Sequence, residues 1–545
     1  MSIDIAKTQY GVLQGVKSSE KGFEDIVSFK GIRYAAPPVG ELRFKPPVAP
    51  ERFDGVKLCD TYGPRPMQPQ MGDLGNEPYS SDFYYDGFPE MSEDCLFLNV
   101  TTGAVSADEK RPVFMWFHGG GLATGFSYEH EFENSVLAKK GIVVVSVGQR
   151  LNVMGYLALP QLSAEQGGVS GNYGLMDEVM ALDWVTENIA AFGGDPNNIT
   201  VGGQSGGTAK SGALAGSPMQ KGRVKRVINQ SNLNWAGRDH QTIEEAEKAG
   251  REYLRIKGID PDITLAELRA LPAEVFYQNV GMHDMHIGCL TVDGTYVKYA
   301  DNYKAIDEFA CGCDYLTGGN YGEMSLDKNY RLGPDTKMPV ITEETYYEVA
   351  KNQLGGLYEK YDFEGNYGLK PGDNPDHLSR WYASLGLNPN GLIRNRYFGA
   401  YRKEKGMKGK TYSYLFAHVT PTYPGEQGTA RDQDKLLAWH SSELWYTFAS
   451  LRRSADGKAN EPACRPWTEY DEKLADMMSS YWANFMKNGN PNGEGLPLWP
   501  QSDENYGYMI LGDEVEGHSG LDSNFDKLAL EHLLTEGKKR GVIPD

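Results

Sequence analysis

The sequence lacks long hydrophobic runs. No stretch reaches the roughly eighteen consecutive apolar residues that a membrane-spanning helix requires, so we expect no membrane insertion. The first residues, 1–7, also lack the apolar core of a secretory signal peptide, and they include Asp4. The chain as it stands is therefore predicted to be cytoplasmic, with a secreted or periplasmic location open if a leader has been removed.

Cysteine is scarce, with six residues in a chain of 545. This number is too small for a disulfide scaffold in a chain of such length. The one close pair, Cys311 and Cys313, has neither a second pair nor a histidine cluster at the spacing of zinc ligands. We therefore expect no metal site.

Positive charge is outweighed by negative charge. The 54 lysines and arginines stand against 74 aspartates and glutamates, which gives a formal net charge of −20. A field of this sign repels phosphate backbones and anionic lipid surfaces, so nucleic acid is not an expected partner. The 40% of hydrophobic residues is enough for a large core and too much for a disordered chain.

Strand-like and helix-like patterns alternate from about residue 95. Residues 111–117 and 141–147 are continuous apolar runs, and residues 173–192 place apolar side chains at helical spacing. Continuous apolar strands separated by helices are typical of a parallel sheet with helices on both faces. The predicted fold class is therefore α/β. Residues 60–92 are predicted to form a long irregular loop, of the kind that is either functional or disordered.

The segment Gly203–Gly207 has the pattern Gly-x-Ser-x-Gly and follows a predicted strand at 199–203. A serine at a sharp strand-to-helix turn has a strained backbone, and only small neighbours fit beside it. Such a turn exposes the Ser205 hydroxyl to a base and to a carbonyl carbon. Taken alone, the five-residue pattern also fits an ordinary glycine-rich loop.

A second glycine-rich segment, His118–Gly121, directly follows the apolar run 111–117. Backbone N–H groups without neighbouring side chains can face a bound carbonyl oxygen, as in the oxyanion hole of esterases. The alternative is a flexible loop or a phosphate cradle. A phosphate cradle favours Lys followed by Ser or Thr after the glycines, whereas Leu122 and Ala123 stand there.

Further segments in the same chain order are Phe29–Pro38, Ser92–Val100, Gln149–Tyr156 and Gly171–Thr200. Together with Gly203–Gly207 they resemble the signatures of the type-B carboxylesterase family, which includes acetylcholinesterase and bacterial para-nitrobenzyl esterases. The resemblance spans essentially the whole chain. It implies an α/β-hydrolase fold with a large, mostly parallel central sheet covered by helices on both faces. It further implies a single domain over 1–545, with a long active-site loop at about 60–92 and helical insertions after about 235.

The resemblance also assigns two partners to the nucleophile Ser205. Glu323, in the segment Tyr315–Glu323, is similar to the acid of the family, and His440, in Ala438–Phe448, is similar to its catalytic histidine. Both follow the serine in the chain order that this fold requires. The implied activity is that of a serine carboxylesterase on small-molecule esters.

The implied mechanism needs no cofactor and no metal. His440 removes the Ser205 proton while Glu323 orients the imidazole and stabilises its charged form. The oxyanion would be bound by the backbone N–H groups of Gly120, Gly121 and Gly206.

Two departures from the family pattern flank the nucleophile. Gln204 stands where glutamate is usual, and Gly206 stands where alanine is usual. The glutamine removes a negative charge, which weakens the attraction for a cationic substrate. The tryptophan that binds choline in cholinesterases is absent from the loop before residue 92. We therefore expect uncharged or aromatic esters as substrates.

The loop 60–92 offers aromatic residues in place of that tryptophan. Gln204, Tyr84, Tyr85 and Phe88 are candidates for lining the substrate pocket. The alternative is that the loop packs its rings against the body of the protein. Cys59 and Cys95 stand where the family closes this loop with a disulfide, so the resemblance implies a bridge between them.

Two other functions remain open for this fold. Some relatives of the family are non-catalytic adhesion proteins, and fold alone does not determine function. An acyltransferase would use the same acyl-enzyme with another alcohol in place of water. The chain is expected to be a monomer or a homodimer.

Overall fold

The computed structural model describes residues 2–69, 78–84, 87–231, 233, 240–277, 289–327, 340–452 and 463–544. Among these residues, eleven strands form one sheet. Strands and helices are numbered in chain order. The strands of this sheet are β3 (Val16–Lys17), β4 (Val27–Arg33), β8 (Phe97–Thr102), β9 (Arg111–Phe117), β10 (Val143–Val147), β11 (Gly194–Gln204), β12 (Val224–Gln230), β13 (Asp314–Asn320), β14 (Thr411–Phe416), β15 (Tyr508–Leu511) and β16 (Val515–His518). The smaller sheets contain β1 (Ile5–Thr8), β2 (Gly11–Gln14), β5 (Val56–Leu58), β6 (Arg65–Pro66) and β7 (Met91–Ser92).

The strand order across the large sheet is β16-β15-β14-β13-β12-β11-β9-β10-β8-β4-β3. The seven neighbours from β15 to β10 are parallel, while β16 at one end and β8, β4 and β3 at the other are antiparallel. This mixed, mostly parallel sheet flanked by helices confirms the predicted α/β-hydrolase fold class.

Helices cover both faces of the sheet. They are α1 (Pro78–Asp82), α2 (Ser135–Lys139), α3 (Asn152–Tyr156), α4 (Pro160–Glu165), α5 (Tyr173–Asn188), α6 (Gly206–Ala215), α7 (Ile243–Ile256), α8 (Leu265–Ala270), α9 (Asn302–Phe309), α10 (Glu343–Leu354), α11 (Gly356–Lys360), α12 (Phe363–Tyr367), α13 (Pro375–Tyr382), α14 (Leu392–Glu404), α15 (Gln433–Leu436), α16 (Leu444–Thr447), α17 (Glu469–Asn488) and α18 (Asn524–His532). Within the described ranges, no helix has the length and apolar character needed to cross a membrane.

The two faces of β9 contribute to two separate cores, because successive side chains of a strand point to opposite faces. Val113, Met115 and Phe117 pack in one cluster together with apolar residues of α5, while Phe114 and Trp116 pack in the other with residues of α17. All five side chains are fully buried. The continuous apolar run in the sequence therefore reflects burial on both faces.

The loop 60–92 is attached to the body of the protein through a buried charge. Asp82, at the end of α1, is fully buried and lies 2.8 Å from Arg465 Nε and 2.8 Å from Arg431 Nη2. The next two residues, Phe83 and Tyr84, are also buried. In this segment the loop packs its rings against the body, which is the second of the two alternatives given by the sequence.

The disulfide implied by the resemblance is not present. Cys59 and Cys95 are both free and buried. The Cys59 thiol faces its own strand end, with Sγ 3.8 Å from the Lys57 carbonyl oxygen. Cys95 lines a small pocket beside Arg43 and Arg150. The two cysteines have different surroundings, and no bond joins them in this structure.

Candidate active site

Ser205 lies at the turn between β11 and α6. Its backbone has φ 56° and ψ −119°, a conformation that is unfavourable for any residue with a side chain. The glycines around it are required by close packing. A Cβ atom on Gly203 would lie 2.4 Å from the Gly207 backbone, and one on Gly207 would lie 2.1 Å from the Phe117 carbonyl oxygen. The Gly-x-Ser-x-Gly pattern is therefore explained by the strain and crowding of this turn.

The glycine-rich segment after β9 lies beside this turn. A Cβ atom on Gly119 would be 3.6 Å from the Ser205 Cβ atom. Gly120 and Gly121 have φ values of 79° and 67°, in the left-handed region that favours glycine. The sequence-predicted oxyanion segment and the nucleophile are thus brought together.

The carbonyls of this segment point into the protein. The Gly119 oxygen lies 3.0 Å from His118 Nδ1, and the Gly120 oxygen accepts a hydrogen bond of 3.0 Å from Thr124 N–H. In a planar trans peptide the following N–H points the opposite way, so the Gly120 and Gly121 amides point away from His118 Nδ1 and Thr124 N–H. Neither amide donates a hydrogen bond to another group in the described parts of the chain. Both donors are therefore available to an oxyanion.

Glu323 and His440 meet beyond the carboxyl end of β13. His440 Nδ1 lies 2.9 Å from Glu323 Oε1, and the glutamate is 1% exposed. A backbone hydrogen bond of 2.7 Å from Gly322 N–H to the Ala438 carbonyl joins the two loops that carry them. The acid and the histidine predicted from the sequence therefore form a bonded pair.

Two further polar side chains connect this pair to the nucleophile turn. Ser231, at the end of β12, donates a hydrogen bond of 2.7 Å from its hydroxyl to Glu323 Oε1. The Gln204 amide donates 2.7 Å to Ser231 Oγ, and its nitrogen also lies 3.3 Å from His440 Nε2. Gln204, predicted to line the pocket, is 1% exposed and lies beside the Nε2 atom of His440.

The charges around His440 favour its protonated form. Burial alone would lower the pKa of this imidazole, but the Glu323 and Glu443 carboxylates outweigh burial and raise it. Burial, with repulsion from Glu323, also raises the pKa of Glu443 to about 7. Glu443 Oε2 accepts a hydrogen bond of 2.5 Å from Asn320. A buried acid that is only partly ionised near neutral pH thus lies beside the Glu323–His440 pair.

The backbone of the histidine loop is held by α1. The Tyr79 hydroxyl donates a hydrogen bond of 2.9 Å to the His440 carbonyl oxygen and lies 3.1 Å from Ser441 Oγ. Its ring packs edge-on against Trp439. No sequence pattern predicted the contact with His440, because the tyrosine and the histidine are 361 residues apart in the chain.

The other aromatic candidates have different surroundings. The Tyr84 ring is 4% exposed, and its hydroxyl donates 2.9 Å to Glu129. The Phe88 ring is half-buried and lies under the Arg65 guanidinium at 4.8 Å. Tyr85 lies outside the described residues. Tyr84 is therefore packed in the core, where its hydroxyl contacts a buried carboxyl group, and its place in the pocket wall stays a prediction.

Over the ranges that the structure describes, no cluster of three or more potential metal ligands is found. The nucleophile turn, the glycine segment and the glutamate–histidine pair form a site whose groups suit acyl transfer: a hydroxyl, a base with its orienting acid, and free backbone donors.

Comparisons with known proteins agree with this chemistry. A model of the carboxylesterase family matches residues 3–528. The chain is 30% identical over 526 residues to a medium-chain fatty acyl-CoA hydrolase precursor of Anas platyrhynchos, covering 92% of this chain and 88% of that protein. It is also 30% identical over 537 residues to a fumonisin B1 esterase of Sphingopyxis macrogoltabida, covering 95% and 88%.

Solved structures of esterases resemble the whole fold. A carboxylesterase of Geobacillus stearothermophilus has a TM-score of 0.73 at 26% identity, covering 96% of this chain and all of that chain. A thermophilic PNB esterase has a TM-score of 0.70 at 27% identity, covering 97% and 100%.

Proposed function

The chain belongs to the carboxylesterase family, and from this premise we propose that it hydrolyses uncharged or aromatic carboxylic esters through an acyl-enzyme on Ser205. It is a carboxylic-ester hydrolase, in line with its family and with the esterases that it resembles. One observation carries the assignment of residues. The strained Ser205 lies at the strand-to-helix turn beside a glycine segment with two free amides, and Gln204 next to it contacts the bonded Glu323–His440 pair.

The proposed reaction has two steps. His440 Nε2 takes the Ser205 proton as the serine oxygen attacks the ester carbon, and the carbonyl electron pair moves onto the oxygen. That oxyanion is held by the free amides of Gly120 and Gly121 and by the N–H of Gly206 at the start of α6. His440 then protonates the leaving alcohol, and water attacks the acyl-enzyme by the same route to release the acid.

The preference for uncharged esters is supported by the residues next to the catalytic histidine. Gln204 is neutral, so the position before the nucleophile supplies no full negative charge for a cationic group. The net charge of −20 also repels strongly anionic acyl groups over longer distances. A small uncharged ester neither needs a negative charge beside the nucleophile nor is repelled by the net charge of the protein.

The test compares wild type with Ser205→Ala on para-nitrophenyl esters of increasing acyl length. Wild type is expected to release a burst of nitrophenol equal to the enzyme concentration, and Ser205→Ala is expected to release none. Ser211→Ala is the matched control, since Ser211 is a buried serine of α6 whose hydroxyl bonds, among the described residues, to Gly207 and Asn229. It should keep the burst.

Two results would contradict the proposal. Burst release that persists in Ser205→Ala would show another nucleophile. No turnover of any ester, with no labelling of Ser205 by a fluorophosphonate, would support a non-catalytic binding protein of the same fold. If added methanol increased nitrophenol release and yielded methyl esters, the enzyme would catalyse acyl transfer to an alcohol as well as hydrolysis.

A further inference from the structure

A lysine is buried directly behind the oxyanion segment. Lys210 lies on α6, and it is 1% exposed. Its Nζ donates a hydrogen bond of 2.9 Å to the His118 carbonyl oxygen and lies 3.5 Å from the Gly119 carbonyl oxygen. The Gln149 amide, in the orientation that satisfies both of its atoms, accepts a further hydrogen bond of 2.8 Å from Nζ.

These contacts act on the peptide that supplies an oxyanion donor. The Gly119 carbonyl and the Gly120 N–H belong to one planar trans peptide, so turning the carbonyl inward turns the N–H outward. The His118 carbonyl, one peptide earlier, is drawn the same way by Lys210. Glycine provides no side chain to fix this backbone, so its orientation depends on such contacts.

We propose that Lys210 is a positioning residue for the oxyanion hole, holding the His118 and Gly119 carbonyls inward so that the Gly120 amide faces the ester oxygen. This inference rests on the proposed function, because it assigns a role in the same reaction. Lys210 does not touch the substrate; it acts through the backbone. The rigid helix α6 carries both Lys210 and the N–H of Gly206, so it links the donors on the two sides of the hole.

The charge of Lys210 depends on groups from three neighbouring segments. Burial lowers the pKa of Lys210 to about 7, against the opposing attraction of Glu178 on α5 and Glu129 in the loop after β9. Burial also raises the pKa of Glu178 to about 8. Burial and the positive charge of Lys210 hold the pKa of His118, at the end of β9, well below its ordinary value. A neutral His118 therefore faces a lysine that loses its proton near neutral pH.

A purely structural lysine would differ in a measurable way. If Lys210 served only to compensate the buried Glu178 and Glu129, its removal would lower the unfolding temperature and leave transition-state binding unchanged. If it positions the amides, its removal lowers kcat without raising KM, because the oxyanion exists only along the reaction path.

The experiment measures kcat, KM and the inhibition constant of an aryl trifluoromethyl ketone. In that complex the Ser205 oxygen bonds to the ketone carbon, the carbonyl electron pair becomes an oxyanion, and the serine proton passes to His440. The variants are Lys210→Met and Lys210→Gln. Arg402→Met is the matched control, since Arg402 is a buried cation that donates 2.6 Å to the Cys313 carbonyl oxygen at the opposite end of the sheet.

We expect both Lys210 variants to lose about tenfold to a hundredfold in kcat and in ketone affinity. This loss does not exceed the loss of rate that follows removal of one oxyanion donor. KM should stay within about twofold of the wild-type value. Arg402→Met should lower the unfolding temperature and leave kcat and ketone affinity unchanged. Ketone affinity and kcat within twofold of wild type in a folded Lys210 variant would overturn the proposal. If neither variant folds, wild type decides: ketone affinity should rise as His440 loses its proton and fall again as Lys210 loses its own, and affinity that rises to a plateau and stays there up to about pH 9 would overturn the proposal.

The failure of the proposed function gives a different result. Wild type would then show neither turnover nor a ketone adduct on Ser205, at any pH. An active wild type with unaffected Lys210 variants would reject only the role of the lysine.

Discussion

Gly206 lies so close to Gly121 that a Cβ atom on residue 206 would be 2.0 Å from the Gly121 carbonyl oxygen. The type-B carboxylesterase pattern has alanine at this position. In this protein the oxyanion segment occupies the space that the alanine methyl group would need. Glycine at position 206 therefore allows the segment to lie this close to the start of α6.

We expect Gly206→Ala to lower kcat by about a hundredfold, because the methyl group must displace Gly121 and with it a donor of the oxyanion hole. The assay is steady-state hydrolysis of a para-nitrophenyl ester. The control is Gly312→Ala, where a Cβ atom meets no neighbour within 4 Å. Equal kcat values for Gly206→Ala and wild type would show that the segment adapts without loss.

The wild-type enzyme should become more active as pH rises through the pKa of His440. The imidazole must be neutral to accept the serine proton, and the Glu323 and Glu443 carboxylates outweigh burial and raise its pKa. The midpoint of the acidic limb of kcat/KM should therefore lie above the ordinary histidine value of about 6.5. A midpoint below that value would mean that burial dominates at this site.

Gln204→Glu should move that limb to higher pH. A carboxylate beside His440 Nε2 adds a third negative charge near the imidazolium and raises its pKa further. The same change should strengthen inhibition by a quaternary ammonium compound. Gln166→Glu makes the same replacement at a residue that bonds to the Phe44 carbonyl and the Tyr173 hydroxyl, and it should leave the profile in place. An unshifted limb in Gln204→Glu would contradict this prediction.

Ser231→Ala should lower kcat by about tenfold with little change in KM. The Ser231 hydroxyl holds Glu323 Oε1, the atom that also meets His440 Nδ1, and one hydrogen bond to a charged group is worth about 1.5–3 kcal/mol. Ser502→Ala removes a buried hydroxyl that bonds to Ser413 and should leave kcat unchanged. If Ser231→Ala and Ser502→Ala behave alike, the orientation of the acid does not depend on Ser231.

His418 is expected to stabilise the fold in its charged form. Its Nε2 lies 2.9 Å from Asp471 and its Nδ1 lies 2.7 Å from Asp513. Burial alone would lower the pKa of His418, but these carboxylates raise it. The stabilisation is then complete below the unfolded pKa of about 6.5 and is lost as pH rises through the raised folded value.

The measurement is the unfolding temperature of wild type and His418→Gln at about pH 5.5 and about pH 9. The difference between the two proteins should be larger at the lower pH. His518→Gln, at a more exposed histidine of β16, should show a small difference at both. A difference for His418→Gln that grows with pH would show that the histidine is neutral in the folded protein.

The sequence predicted the elements whose side chains are buried in a regular pattern. The run 111–117 coincides with β9, since a strand buried on both faces is apolar throughout. The helix predicted at 173–192 ends at Asn188 as an α-helix. The last residues of the prediction, Ile189–Phe192, continue it as a tighter 3-10 turn with the same apolar residues. Gly193, with φ 82°, then ends the turn. The single-domain organisation over 1–545 stays a prediction.

The supporting residues of the site were not predictable in the same way. Lys210 and Ser231 each bond to a group 92 residues away in the chain, and neither is part of a local pattern. A single lysine in a helix or a single serine after a strand is usually a surface residue. Their roles depend on which loops the fold brings together, so they became visible only in three dimensions.

The buried Asp82 has a consequence for the evolution of specificity in this protein. Separating Asp82 from Arg465 and Arg431 would leave unpaired buried charges, at a cost of about 3–5 kcal/mol. The segment that carries Tyr79, and with it the carbonyl of His440, is therefore fixed in place. Substitutions elsewhere in the loop can accumulate while the histidine keeps its position. Selection for a new substrate can thus proceed without rebuilding the catalytic base.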